Sequence, residues 1–117
     1  AISRANKIKG SSTLTLLKFN NISRKLISCH IGDSSYLIAR ARKNGFDMIH
    51  LSKDQYYNFN FPYQVGRKLD TIDQFIFDEH DLITKDVIIC ATDGLWDNLS
   101  IKIILQTLNQ IRDKKTN

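Results

Sequence analysis

The clearest hydrophobic pattern in the chain is a run of apolar and small residues from Val87 to Ala91. A short, continuous run that is rich in Val and Ile is typical of a fully buried strand. Beyond it, apolar residues recur at helical spacing after Ser100, a good N-cap residue. They are Ile101, Ile104, Leu105, Leu108 and Ile111. The pattern predicts a buried strand, a turn, and a helix over about 101–112 that lays one apolar stripe on a sheet.

The first half of the chain shows short apolar runs separated by turn residues. Four strands are predicted, at 13–19, 25–31, 36–39 and 46–51. The second and third are separated by Gly32-Asp33-Ser34, and the third and fourth by Lys43-Asn44-Gly45. Asn-Gly suits a type I′ hairpin turn, so a tight turn is expected at Asn44-Gly45. Short connections predict an antiparallel meander, with the strands in succession on one face of a sheet.

The middle of the chain is less regular. The stretch 52–66 is crowded with aromatic residues and contains Pro62, so a loop or helical turn packed by aromatics is predicted. A short fifth strand is expected at 71–77. The acidic cluster Asp78-Glu79-His80-Asp81 could bind a metal, but adjacent residues cannot all face one point, and a solvated turn is predicted.

Length and charge exclude several classes of protein. The 117 residues suffice for a single domain spanning 1–117, or for a fragment of a larger one. No apolar stretch reaches the roughly 20 residues of a membrane span. The formal net charge of +5 is scattered along the chain, which excludes a concentrated nucleic-acid-binding face. The start, Ala-Ile-Ser-Arg, is interpreted as internal to a longer protein.

Two single cysteines bear on the compartment. Cys29 and Cys90 are far apart, and each lies within an apolar run. No C-x-x-C motif occurs, so neither a zinc framework nor a disulfide framework is expected. Both residues are predicted to be buried, reduced thiols of an intracellular protein.

Two aspartates carry the candidate chemistry. Asp33 and Asp93 each follow a predicted strand, and each has a glycine neighbour, Gly32 and Gly94 respectively. Asp97 follows four residues after Asp93. Carboxylate oxygens suit Mg²⁺ and Mn²⁺, so the strand ends could share a cation. The alternative is that each Asp-Gly pair is an ordinary turn.

One histidine lies beside this strand end. His30 precedes Gly32-Asp33 by two residues and could orient a water. The alternative is a hydrogen-bonded core residue.

Three motifs stand in an order that resembles a known family. Gly10-Ser11-Ser12-Thr13, Ile31-Gly32-Asp33-Ser34 and the run from Ala91 to Asp97, ATDGLWD, follow one another as in the metal-dependent serine/threonine protein phosphatases of type 2C. The stretch 55–64, QYYNFNFPYQ, is similar to the branch that includes mitochondrial matrix enzymes. The resemblance runs from Gly10 to about Leu108.

The resemblance implies a fold and a chemistry. The expected fold is α+β, a two-sheet β-sandwich flanked by helices, here partial. Enzymes of this family use two Mn²⁺ or Mg²⁺ ions, with a weaker third site, and a metal-activated water attacks phosphoserine or phosphothreonine. By this likeness Asp93 matches a ligand of the catalytic pair, and Asp33, Asp93 and Asp97 match the carboxylates of the third site. Gly32, Ser34 and Gly94 would shape the loops around them.

The chain also departs from the family pattern. The Asp-Gly-x-Gly-Gly run, the upstream Glu, the phosphate-binding Arg, the general-acid His and the later Asp-Asn motif are absent. Asp97-Asn98 is part of the helix entry and is not equivalent to that Asp-Asn motif. The chain therefore resembles the middle of a catalytic domain, and no catalytic residue is expected within it.

Three functions follow from these observations. The first is a fragment of an active phosphatase for phosphoproteins, intracellular, mitochondrial or cytoplasmic, and expected to be a monomer. The second is a pseudophosphatase that serves as an interaction or regulatory module without a complete metal site. The third is an unrelated β-rich binding domain whose Asp-Gly turns are structural.

Overall fold

The computed structural model describes residues 12–52, 56–58, 61–62 and 75–116. Within these ranges the strands are β1 Leu14–Asn20, β2 Lys25–Ile31, β3 Ser35–Arg42, β4 Gly45–Leu51, β5 Tyr56–Asn58, β6 Phe61–Pro62, β7 Ile76–Asp81 and β8 Val87–Ala91, and the helices are α1 Asp93–Trp96 and α2 Ile101–Thr116. Strands β2 and β8 begin and end where the sequence predicts. The predicted strand at 71–77 lies mostly outside the described residues, as do Gly10 and Ser11.

The strands form two antiparallel three-stranded sheets, with the orders β1-β2-β7 and β4-β3-β8. The predicted α+β fold with two sheets is confirmed. The prediction of one continuous meander is wrong, because β2 and β3 belong to different sheets. Gly32, whose φ is +100°, lies in the connection that takes the chain from one sheet to the other. A third, small sheet pairs β5 with β6, where a loop or helical turn is predicted.

The acidic cluster lies in strand β7 and not in a turn, which corrects the prediction for residues 78–81. Strand β7 pairs with β2 along its length, so each charged residue has a cross-strand neighbour. Lys25 contacts Glu79 at 2.8 Å and Asp81 at 3.3 Å. Alternation along a strand then leaves Asp78 and His80 on the opposite face from these ion pairs.

Apolar side chains from both sheets form the core between them. One buried cluster joins Leu26 of β2 to Tyr36 and Ile38 of β3. A second cluster joins Ile31 to Phe75. His30 is 1% exposed, which fits its interpretation as a core residue.

The cysteines depart from the prediction of burial. Cys29 is half-buried and Cys90 is exposed, and both are free thiols. Cys90 is the exposed residue of β8, whose other four residues are partly buried. Burial raises the pKa of the Cys29 thiol, so Cys29 stays protonated near neutral pH.

Helix α2 packs against β4, as its apolar stripe predicts. The Ser100 hydroxyl accepts a hydrogen bond from the Ile103 N–H at 3.2 Å, so the predicted N-cap is confirmed. Ile104 is buried, whereas Ile111 at the far end of the stripe is 49% exposed. The side chain of Asn109 fixes the helix to the sheet by accepting a hydrogen bond from the Phe46 N–H at 2.8 Å. Neither helix in the described part of the chain is long and apolar enough to cross a lipid bilayer.

The predicted hairpin between β3 and β4 is present, but its turn is not type I′. Arg42 pairs with Gly45, so the turn residues are Lys43 and Asn44. A type I′ turn needs positive φ at both central residues. Among the described residues other than glycine, positive φ occurs at Arg24 and Lys85, whereas Gly45 has a φ of +136°. Glycine is therefore required at the residue that follows the turn.

Gly45→Ala is expected to destabilise the protein by about 1–3 kcal/mol, because a side chain at this φ is strained. The added Cβ would also lie 3.0 Å from Asn109 Nδ2, the side chain that fixes α2 to β4. Urea unfolding measures the loss. Gly94→Ala is the matched control, since the nearest atom to its Cβ would be Thr92 Oγ1 at an ordinary 3.6 Å. Equal stability of the two variants would contradict the prediction.

Candidate functional site at one end of the second sheet

The ends of β3 and β8 place two of the predicted site residues at one end of the second sheet. The strands are antiparallel, and Ser35 pairs with Ala91. Asp33 precedes Ser35 by two residues and Asp93 follows Ala91 by two, so both extend beyond the same end of the strand pair. This is the placement that a shared cation site requires. That the two carboxylates come within reach of one ion stays a prediction.

The loop that carries Asp33 is held against β1 by hydroxyl groups. The Ser34 and Thr13 hydroxyl oxygens lie 2.7 Å apart, and the Thr15 hydroxyl donates to the Ser34 carbonyl at 3.0 Å. Asp33 is only 8% exposed and Ser34 only 7%. Ser34 thus connects the loop that carries Asp33 to β1 of the first sheet, and its role in shaping a metal site stays a prediction.

Asp93 begins α1 directly after β8, which is partly buried and not fully buried as the sequence predicts. The turn is closed by the Leu95 N–H, which donates to the Thr92 carbonyl at 3.1 Å, and by the Asp97 N–H, which donates to the Asp93 carbonyl at 2.8 Å. Asp93 and Asp97 are therefore one helical turn apart, as predicted, and both are exposed. The positive end of the helix dipole also stabilises a carboxylate at the first residue of a helix.

Side chains in and just after α1 hold this short helix in place. The Trp96 indole N–H donates to the Ala91 carbonyl at 2.8 Å, across the turn that contains Asp93. The Asn98 side-chain amide donates to the Gly94 carbonyl at 2.7 Å. Two side-chain bonds thus hold a four-residue helix that is too short to be stable alone.

A shallow cavity of about 260 Å³ adjoins Asp97. Its lining comes from the start of β3, the end of β4 and the segment after α1: Ser35, Leu51, Trp96, Asp97, Leu99, Ser100 and Ile101. This volume is below the roughly 300–1,000 Å³ of pockets for drug-sized ligands. The cavity therefore has room for a small group beside Asp97.

The structure also brings together three side chains that the sequence analysis did not connect. They are His50, Asp78 and His80, whose metal-ligating atoms all lie within 4.8 Å of one another. Among the His, Cys, Asp and Glu residues that the structure describes, this is the group of three with such spacing. Asp33, Asp93 and Asp97 do not form such a trio. The sequence signal for this trio is the spacing of Asp78 and His80, which places both on one face of a strand, but a predicted turn at 78–81 carries no such alternation.

Comparison with known proteins identifies the family. The chain is 32% identical over 120 residues to the protein phosphatase PTC7 homolog fig of Drosophila erecta. This alignment covers 95% of the chain and 37% of the relative. It is 34% identical over 113 residues to the PTC7 homolog of Xenopus laevis, covering 89% of the chain and 37% of the relative. The chain thus spans little more than a third of the curated relatives that it matches. No protein-family profile matches the chain.

A solved structure supports the same assignment at the level of the fold. The X-ray structure of the photosystem II phosphatase PBCP matches 83% of the chain and 37% of its own chain, with a TM-score of 0.73 and 22% identity. The motifs around Asp33 and Asp93, the two-sheet fold and these relatives define a type 2C phosphatase segment. The chain belongs to the type 2C protein phosphatase family, and PTC7 homologs are among its relatives.

Proposed function

We propose that the protein containing this chain hydrolyses phosphoserine and phosphothreonine in phosphoprotein substrates, and that this segment supplies part of its metal site. The observation that carries the proposal is the pairing of Ser35 with Ala91, which sends Asp33 and Asp93 out of the same end of one strand pair. The names of the PTC7 relatives, which are protein phosphatases, support the same reaction.

The residues at this end of the sheet fit Mn²⁺ or Mg²⁺. Asp33, Asp93 and Asp97 offer carboxylate oxygens, the ligand type that hard divalent ions prefer. We propose that these three residues hold the ions, with Asp93 serving the catalytic pair and all three serving a weaker third site. When bound, such ions lower the pKa of a water and offset the charge of a phosphate.

The chain's own contribution is to hold carboxylates in place. The hydroxyls of Ser34 and Thr13, 2.7 Å apart, fix the loop of the nearly buried Asp33. The Trp96 bond to Ala91 fixes the turn that carries Asp93. Side chains that are held before an ion binds lose less freedom on binding, which favours a site of defined geometry.

An intracellular location, mitochondrial or cytoplasmic, belongs to this proposal. It is supported by the free thiols of Cys29 and Cys90, since unpaired cysteines persist in reducing compartments. The competing function is that of a pseudophosphatase, in which the fold serves as an interaction module without turnover.

The experiment compares two polypeptides on a phosphoserine peptide with added Mn²⁺. The longer protein containing this segment is expected to release phosphate, and to stop when EDTA removes the metal. The segment of residues 1–117 alone is expected to show no turnover, because too few ligands remain for a two-metal centre. A longer protein that binds the peptide without hydrolysing it would favour the pseudophosphatase. Metal-dependent turnover by the segment alone would contradict the proposed role as a partial site.

A further inference from the structure

We propose that His50, Asp78 and His80 form a separate metal site, which binds a borderline-soft divalent transition ion such as Zn²⁺ between the two sheets. The first observation is spacing: one ligand atom from each side chain lies within 4.8 Å of the other two. Tetrahedral zinc ligands at 2.0–2.2 Å from the ion stand about 3.4 Å apart. Asp78 is exposed, so its side chain has room to adjust to that spacing.

The site draws its ligands from both sheets. Asp78 and His80 lie two residues apart on β7, so they face the same side of the first sheet. His50 lies on β4, paired with the core residue Ile38 of the second sheet. The imidazole rings of His50 and His80 are 4.3 Å apart, centroid to centroid, across the space between the sheets. A bound ion would therefore link the two sheets.

The second observation is an unsatisfied nitrogen. His50 Nε2 is buried and has no hydrogen-bond partner among the described residues. Burying a ring nitrogen without a partner is costly, because the nitrogen gives up its hydrogen bond to water. A cation at the centre of the trio would supply the missing partner. The trio offers two imidazole nitrogens and one carboxylate oxygen. This set of donor atoms suits zinc.

The surroundings of His80 resemble the outer shell of a metal ligand. The Tyr36 hydroxyl lies 2.6 Å from His80 Nε2 and 2.7 Å from the Ser28 hydroxyl. Histidines that bind metals through one ring nitrogen commonly hold the other in a hydrogen bond of this kind. Tyr36 is fully buried, so the hydrogen-bonded chain from Ser28 to His80 is fixed by the core.

Burial lowers the pKa of His80, the neighbouring His50 lowers it further, and Asp78 opposes both. The trio also differs from the predicted phosphatase site in its chemistry, since hard ions such as Mg²⁺ prefer oxygen ligands alone.

The test is a titration of the purified chain with Zn²⁺ followed by NMR of the imidazole groups. The chain contains three histidines, so His30 is an internal control for His50 and His80. Zn²⁺ is expected to shift the signals of His50 and His80 while His30 stays unchanged, and Mg²⁺ is expected to shift none. Unchanged signals for His50 and His80, or an equal shift of all three, would overturn the proposal.

Variants separate a specific site from adventitious binding. In competition with a chromophoric chelator, His50→Gln and Asp78→Asn are each expected to weaken Zn²⁺ binding by about tenfold to a hundredfold. Glu79→Gln is the matched control, because it removes the same charge one residue away on the opposite face of β7. Binding that survives both ligand changes, or that falls equally with Glu79→Gln, would exclude the site. Asp78 is exposed, so its substitution keeps the test valid where His50→Gln fails to fold. The phosphatase proposal is independent of either outcome.

Discussion

If the protein that contains this chain is the proposed phosphatase, Asp93→Asn is expected to abolish its turnover of a phosphoserine peptide, with a loss of at least about 10²–10³ in kcat. That is the usual cost of removing one charge-stabilising group at a reacting centre. The family resemblance implies that Asp93 is a ligand of the catalytic metal pair, and a neutral amide binds a hard dication far more weakly than a carboxylate. The measurement is kcat as a function of Mn²⁺ concentration, since a weakened site is partly restored by more metal.

Two further substitutions make this result specific. Asp33→Asn is expected to reduce turnover less, because the family resemblance assigns Asp33 to the weaker third site only. Asp47→Asn is the control for loss of one carboxylate, since Asp47 is exposed on β4 and pairs with Arg42 at 2.7 Å. Wild-type activity in Asp93→Asn, or equal losses in all three variants, would contradict the assignment of Asp93.

Asp86→Ala is expected to cause the largest loss of stability, about 3 kcal/mol. Arg40 donates to the Asp86 carboxylate through Nε at 3.0 Å and through Nη2 at 2.9 Å, and the Ile83 N–H donates to it at 2.9 Å. The Asp86 side chain is only 2% exposed. Removing one partner of a buried pair costs about 3–5 kcal/mol, because the other charge is left buried. We expect the lower end, since the Arg40 side chain keeps 20% exposure.

The midpoint of urea unfolding measures this loss. Asp47→Ala is the control. It removes the ion-pair partner of Arg42, and both side chains of this pair are more than half exposed. It is expected to cost less than about 1 kcal/mol, as exposed ion pairs do. A comparable loss in the two variants would show that burial is not what makes the Arg40–Asp86 pair important.

The same pair predicts a pH dependence. Burial alone would raise the pKa of Asp86, but the bonds from Arg40 and the Ile83 N–H outweigh burial and hold that pKa below its ordinary value of 3.8. Because the folded pKa is lower than the unfolded one, the stabilisation is fully present above about pH 4 and is lost as the pH falls through the folded-state pKa. The stability difference between wild type and Asp86→Ala should shrink in that acidic window. A difference that grows on acidification would contradict this.

Local patterns predicted the elements well, and the assembly of those elements less well. Val87–Ala91 and Lys25–Ile31 were predicted to the residue because an apolar run and its flanking turns mark a strand without reference to partners. The placement of β2 and β3 in different sheets depends on how Gly32 redirects the chain, and residue types alone do not encode that direction. The charged residues of β7 predict a turn for a similar reason, because their local pattern does not reveal a partner strand. In the structure, Lys25 on the neighbouring strand β2 pairs with Glu79 and Asp81.

The candidate sites show the same division. Asp33 and Asp93 are predicted as site residues because each is acidic, adjoins glycine and follows a strand, which are all local features. The approach of His50 to His80 could not be predicted, since the two residues are thirty positions apart and meet only when the sheets pack face to face.

The position of Trp96 gives the predicted phosphatase site an optical reporter. Trp96 is the one tryptophan in the chain, and it lies between Asp93 and Asp97 with its indole bonded to the Ala91 carbonyl. Its fluorescence therefore comes from the turn that carries both carboxylates. A paramagnetic ion such as Mn²⁺ bound there would quench this emission, whereas diamagnetic Mg²⁺ would not. The intensity of a single fluorophore can thus follow occupancy of the aspartate site in real time, without substrate and without a label.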